Sequence, residues 1–134
     1  MTSYGFPRQV RLLTAGDYRS VFDDVQTKVF GRRFLLLARP NSLHHPRLGQ
    51  ILAKKNLRRA VDRNRIRRLT RESFRLNQHK LPDMDVVLLT QKGLSELSSE
   101  EYAEQLALAW KRLEKLSRKK ADQKQSKPRS SQSK

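Results

Sequence analysis

Cysteine is absent from the 134 residues of this chain, which excludes disulfide scaffolds, thiolate nucleophiles and zinc ribbons together. A reducing, cytoplasmic setting fits that absence. Long apolar runs are missing too. The longest, Phe34-Leu35-Leu36-Leu37-Ala38 and Val86-Val87-Leu88-Leu89, are strand-sized and far short of the ~20 residues that cross a bilayer, so no membrane span is expected. No continuous apolar segment follows Met1 to Pro7, where Arg8 and Arg11 stand instead, so no secretory signal is expected either. Acidic residues are scarce: 13 Asp and Glu face 30 Lys and Arg, a net charge of +17. Such an excess resists compaction unless an anion is bound, and the natural partner is expected to be a polyanion. With 36% hydrophobic residues the chain can build a modest core, and its length leaves no room for a second large domain.

Thr14 and Asp17 have the spacing of a capping box and predict a helix from about Ala15 to Asp24, with Tyr18, Val21 and Phe22 on one face. That aromatic face suits either core packing or a ligand. Strands are predicted around Thr27 to Phe30, turning at Gly31, then over Arg33 to Arg39, Arg47 to Ala53 and Asp85 to Thr90. The last is almost wholly apolar and reads as a central strand buried on both faces, whereas Gly49 inside the third implies a bulge or a close backbone approach. Ser98 and Glu101 predict a second capping box, opening a helix from Ser99 to Leu116 whose stripe is Tyr102, Leu106, Ala109, Trp110, Leu113 and Leu116. Residues 1–116 then form one domain, and 117–134, with Ala121 as the lone apolar residue, read as a disordered basic tail. The order is helix, three strands, basic helix, strand, helix: an α+β fold around a mostly antiparallel sheet.

Charge is concentrated between the third and fourth strands. Residues 54–80 hold eleven cations (Lys54, Lys55, Arg58, Arg59, Arg63, Arg65, Arg67, Arg68, Arg71, Arg75 and Lys80) against Asp62 and Glu72. At about 100° per residue Arg63, Arg67 and Arg71 share one face, with Asn64, Arg68 and Arg75 beside them, while Ile66, Leu69, Ser73 and Leu76 form the anchoring side. Like charges at i,i+4 destabilise an isolated helix by a few tenths of a kcal/mol per pair, so this arrangement points to an anionic ligand. The arginine fork suits phosphate, and the Asn64 amide can reach sugar or base edges. A DNA-reading helix-turn-helix fits poorly, because strands flank the helix and no partner helix precedes it.

Catalytic chemistry is hard to find. His44 and His45 are neighbours whose side chains point apart, His79 is solitary, and Asp23-Asp24 and Asp83/Asp85 read as solvated turns or caps without a His partner. No Gly-rich phosphate loop, nucleophile elbow or zincin motif occurs. No catalytic residue and no metal ligand are expected from the chain itself.

The run from Ala53-Lys54-Lys55-Asn56 through Arg63-Asn64-Arg65 to Glu72-Ser73-Phe74-Arg75 closely resembles the signature of the bacterial ribonuclease P protein family. Arg11-Leu12, the helix with Tyr18 and Phe22, Arg47-Leu48-Gly49 and Lys92-Gly93 agree in order, so the resemblance covers about residues 6–116. It implies an αβββαβα sandwich like domain 2 of ribosomal protein S5, with a left-handed βαβ crossover around the Arg-rich helix, against the usual hand. It further implies a division of labour in which a catalytic RNA, with magnesium held mainly by that RNA and the substrate, removes the 5′ leader of precursor tRNA. The protein binds both, in a cytoplasmic complex of one protein to one RNA. Carried over by position, Lys54, Lys55, Arg58, Arg59, Arg63, Asn64, Arg65, Arg67, Arg68, Arg71 and Arg75 meet RNA. Arg11, Tyr18, Phe22, Phe34 and Leu37 line the leader cleft. Leu37, Gln50 and Gln91 depart from the family pattern and imply a weaker hold on the leader. Competing readings are a structural RNA-binding protein of ribosomal type and, less favoured, a protein nuclease.

Overall fold

The computed structural model describes residues 11, 12, 14–41 and 43–126. In chain order the elements are α1 (Ala15–Asp23), β1 (Thr27–Gly31), β2 (Phe34–Pro40), β3 (Arg47–Ile51), α2 (Ala60–Asn77), β4 (Met84–Thr90) and α3 (Ser99–Ser126). The four strands form one sheet in the order β1-β2-β4-β3. β1 with β2 and β2 with β4 run antiparallel, whereas β3 and β4 are parallel neighbours, which makes α2 the crossover between them. The predicted α+β order is therefore the observed one.

Local chemistry explains the elements. At α1 the Thr14 amide donates to Asp17 Oδ2 (3.1 Å) and the Asp17 amide to Thr14 Oγ1 (3.0 Å), the predicted capping box. The β1–β2 turn falls one step later than expected. Gly31 closes β1 opposite Phe34, and Arg32-Arg33 make the turn with Arg33 at a positive φ of 70°. Gly31 is needed instead for space, because the Phe34 ring lies where a Cβ would be. β3 ends at Ile51 rather than Ala53, and its outer edge is met by Arg11-Leu12, whose Leu12 amide donates to the Leu48 carbonyl (3.0 Å).

Side-chain parity divides the sheet into two faces. Val29, Phe34, Leu36, Ala38, Leu48, Val86 and Leu88 point one way and are sealed by α2 and α3 in the larger core. Tyr102 meets Phe34 edge-on at 5.6 Å, and Trp110 meets Phe74 at 5.8 Å. Two polar bridges clasp α2 to α3. The Tyr102 hydroxyl meets Thr70 Oγ1 (2.7 Å), which in turn donates to the Ile66 carbonyl (2.7 Å), and Trp110 Nε1 donates to Ser73 Oγ (2.7 Å). Burial pushes the Tyr102 phenol well above its ordinary range, against the smaller opposing effect of its Thr70 bond. Leu37 and Val87 point the other way, beneath Leu12 and Val21 of the α1 side.

Asp85 is not a solvated turn residue. It lies buried in β4, where Arg47 grips it with Nε to Oδ1 and Nη2 to Oδ2, both at 2.8 Å, and the Asn41 amide adds a third bond at 2.8 Å. The hydrogen bonds from Arg47 to Asp85, with the attraction of Asp85 and Asp17 behind them, raise the Arg47 pKa further against the opposing effect of burial. The Asp sits next to Met84 in the sheet rather than before it, so its parity aims it under α1.

α3 opens as predicted, with the Ser98 amide donating to Glu101 Oε1 (2.9 Å) and the Glu101 amide to Ser98 Oγ (3.0 Å). It does not stop at Leu116. The helix continues to Ser126, so the expected disordered tail begins as helix. Arg, Lys, Ala and Gln are good helix formers, no proline intervenes before Pro128, and adding turns to a docked helix carries no nucleation cost. Arg118 Nε also pairs with Glu114 Oε2 at 3.0 Å across one turn. The remainder of the tail, 127–134, and the N-terminal stretch with Pro7 and Arg8 lie outside the described residues.

Candidate RNA interface

Two surfaces meet near the end of β3. The first is the outward side of α2 with the loop before it. Ile66, Thr70 and Phe74, four residues apart, are the buried anchors, and Leu69 is half-buried beside them. The expected anchor Leu76 is instead 54% exposed. Phe74 took its place because a stripe drawn through 66, 70 and 74 follows the i,i+4 ridge, whereas 76 has rotated past it. Asn64, Arg68 and Arg71 are exposed and, with half-buried Arg75, follow the opposite ridge at i, i+4, i+7 and i+11. Lys54, Lys55, Arg58 and Arg59 extend this exposed cationic surface to the end of β3.

The Arg63-Asn64-Arg65 core is partly tethered. Arg63 Nη1 donates to the Leu57 and Arg58 carbonyls (2.9 and 3.0 Å), which ties the basic loop to the helix. Arg65 reaches the other way, with Nη1 to Ser99 Oγ and Nη2 to the Ser95 carbonyl, both 3.3 Å. Arg67 Nη1 donates to Asn64 Oδ1 at 2.9 Å. Arg63, Arg67 and Arg71 therefore do not form one free stripe, since the bonds of Arg63 and Arg67 orient their guanidinium groups.

The second surface is the part of the sheet that α1 leaves uncovered. In register across the four strands, Phe30 pairs with Leu35, Leu35 with Leu89, and Leu89 with Ile51. This row points toward the α1 side. Leu35, Leu89 and Ile51 are half-buried, and Phe30 is 62% exposed. At its β3 end α1 forms a shallow groove of about 490 Å³, where Tyr18, Arg19, Phe22, Gln50 and Ile51 converge. Tyr18 is fixed twice: its hydroxyl accepts from the Gln50 amide (3.3 Å), and its ring lies over Gly49, where a Cβ would come within 2.7 Å of Cε2. Gly49 is thus the close approach the sequence suggested. Phe22 stays 42% exposed at the rim.

Of the five expected cleft residues, only Tyr18 and Phe22 line this groove. Phe34 is fully buried on the opposite face against Tyr102, and Leu37 is 6% exposed beneath α1. Arg11 is half-buried, bridged to Leu48 at the β3 edge. Phe30, Leu35, Ile51 and Leu89 were missed. The run Phe34 to Ala38 is apolar at every position, so it does not reveal which parity faces which side, and a shift of one residue reverses the answer. Gln50 also turns inward to the larger core side, where its Nε2 donates to the Arg67 carbonyl at 3.3 Å. Among the described residues no group of three or more His, Asp or Glu gathers that could hold a metal ion.

An exposed cationic helix beside an open apolar row on an α+β sheet defines an RNA-binding class of protein. The family model described as Ribonuclease P matches residues 6–114, and the chain belongs to that family. The ribonuclease P protein component of Chromohalobacter salexigens is 53% identical over 115 residues, spanning 86% of this chain and 90% of that one. That of Pseudomonas aeruginosa is 51% identical over 113 residues, or 84% of each chain. Among solved structures, the ribonuclease P protein of Thermotoga maritima superposes with a TM-score of 0.67 at 30% identity, covering 76% of this chain and 96% of its own. The Staphylococcus aureus protein, at 23% identity, shares the fold with a TM-score of 0.70 over 76% of this chain and 93% of its own.

Proposed function

We propose that this chain is the protein subunit of a ribonuclease P holoenzyme, and that it acts by holding RNA rather than by attacking it. The bond broken is the phosphodiester that joins the 5′ leader to the first nucleotide of mature tRNA. The RNA subunit performs that hydrolysis with magnesium, in a cytoplasmic complex of one protein to one RNA. In this reading the magnesium is held mainly by phosphates of the RNA subunit and by the substrate. The observation that carries the reading is the juxtaposition of the exposed α2 ridge, rich in arginine, with an apolar row bordered by Tyr18 and Phe22.

In this reading Lys54, Lys55, Arg58, Arg59, Arg68, Arg71 and Arg75 neutralise phosphates of the RNA subunit, while Arg63, Asn64, Arg65 and Arg67 fix the register. The single-stranded leader lies on the row, its bases against Tyr18, Phe22 and the Leu35, Leu89 and Ile51 side chains. Each stacked base contributes about 1–3 kcal/mol. In this reading the crossover through α2 is left-handed and the sandwich is of the kind found in domain 2 of ribosomal protein S5.

Single-turnover cleavage of precursor tRNA at low magnesium tests the reading, with bacterial ribonuclease P RNA alone, this protein alone and both together. Efficient cleavage at the mature 5′ end only by the combination supports it. Tight RNA binding without any change in cleavage sinks it, in favour of a structural RNA-binding role. Arg68→Ala should weaken assembly and flatten the log–log salt slope by about 0.7–0.9, one phosphate's share.

A further inference from the structure

The apolar row does not stop at the sheet. Phe30, its outermost residue, sits on the edge strand β1 and also lines a cleft of about 660 Å³ between that edge and the outer side of α3. From α3 come Leu108, Lys111, Arg112, Lys115 and Arg118, at i, i+3, i+4, i+7 and i+10, a single helix face. Leu108 is 52% exposed, and the acid in the cleft, Glu114, is already bonded to Arg118. The result is an apolar floor with a ring at its mouth and a cationic wall, separate from the α2 surface and joined to the leader row through Phe30.

That combination suits a flexible polyanion carrying flat apolar groups: bases pack on the floor while phosphates face the cations. Continuity decides the occupant. A strand that enters from the basic loop at Ile51 and follows the row leaves the sheet at Phe30 and meets this cleft directly. We propose that the single-stranded RNA 5′ of the sheet-bound leader segment turns over the β1 edge into the α3 cleft, its phosphates held by Lys111, Arg112 and Lys115. The inference rests on the sheet row being the leader path. The row crosses three strand spacings, about 14 Å, so only leaders that outrun it reach the cleft.

Binding of precursor tRNAs with leaders of graded length to the reconstituted holoenzyme, across several salt concentrations and with calcium replacing magnesium to suppress cleavage, tests this. Wild-type affinity should go on rising for leaders longer than the row. The double variant Lys111→Gln, Lys115→Gln should bind short leaders as wild type does, lose about ten-fold on long ones, and show there a salt slope flatter by about 1.4, two single-strand phosphates' worth. An affinity that levels off at the row's edge, or a variant that follows wild type at every length, overturns the proposal. So does a concentration-dependent self-association in sedimentation that the double variant abolishes without any leader-length effect, which would make the cleft a contact between copies. Failure of the underlying reading looks different: the wild-type protein would then give no benefit even to short leaders.

Discussion

The two faces of the sheet are built from adjacent residues of the same strands, yet they do opposite things. On the α2/α3 face the apolar side chains from Val29 to Leu88 are buried under the helices, the aromatics lock edge to face, and Tyr102 and Trp110 bridge the helices with their polar atoms. On the α1 face a nine-residue helix covers one row, Leu37 and Val87, and leaves the next row open. A protein this small cannot seal both faces with one sandwich of helices. Its stability comes mainly from the closed face, which leaves the other free to bind.

Neighbouring truncations should separate these roles most sharply. Phe34→Ala empties a fully buried site and should cost about 3–5 kcal/mol in thermal or denaturant unfolding. Leu35→Ala, one residue on, should cost much less in stability and instead weaken leader binding by the holoenzyme; equal stability losses would erase the distinction between faces. Gly49→Ala should cost about 1–3 kcal/mol, because the new methyl drives the Tyr18 ring and with it α1 off the sheet. A stability unchanged by that substitution would mean α1 is not held where Tyr18 places it. Tyr18→Phe keeps the ring and removes the bond from the Gln50 amide, with an expected loss of about 0.5–1.5 kcal/mol and leader stacking retained.

The smallest effect concerns the start of α3. Hydrogen bonds from the Ser98 backbone hold the Glu101 carboxyl below its usual range. Its contribution is therefore present above the ordinary carboxylate range and is lost as pH falls through the lowered folded value. Glu101→Gln should flatten the acid limb of a stability–pH profile measured by circular dichroism; an unaltered limb would remove the box from the account.

Much of this was legible in the sequence because the signals were local. Thr14/Asp17 and Ser98/Glu101 announce their helices through bonds three residues apart, and the density of arginine from 54 to 80 announces the polyanion surface without any fold. What stayed hidden depends on partners far along the chain. The continuous apolar run Phe34 to Ala38 conceals its parity, so Phe34, expected in the leader cleft, lies on the closed face, and Leu35 stands in the open row. Asp85 looks like a turn residue until Arg47, brought alongside by the parallel pairing of β3 and β4, claims it. The extension of α3 past Leu116 was hidden by reading low apolar content as disorder, although its residues are individually good helix formers.

The tethers on Arg63 and Arg65 bear on how an encounter becomes a fit. A free arginine gives up rotamer freedom worth roughly 1.5–2 kcal/mol when it is fixed, whereas a side chain already bonded to Leu57, Arg58, Ser95 or Ser99 has given up much of that before any ligand arrives. Under the proposed function the exposed cations can meet RNA phosphates in many orientations. The tethered pair would then meet RNA with guanidinium groups already held by the chain, and so serve register more than capture. The proposal thus gives attraction to the exposed cations of the loop and helix and register to the tethered arginines.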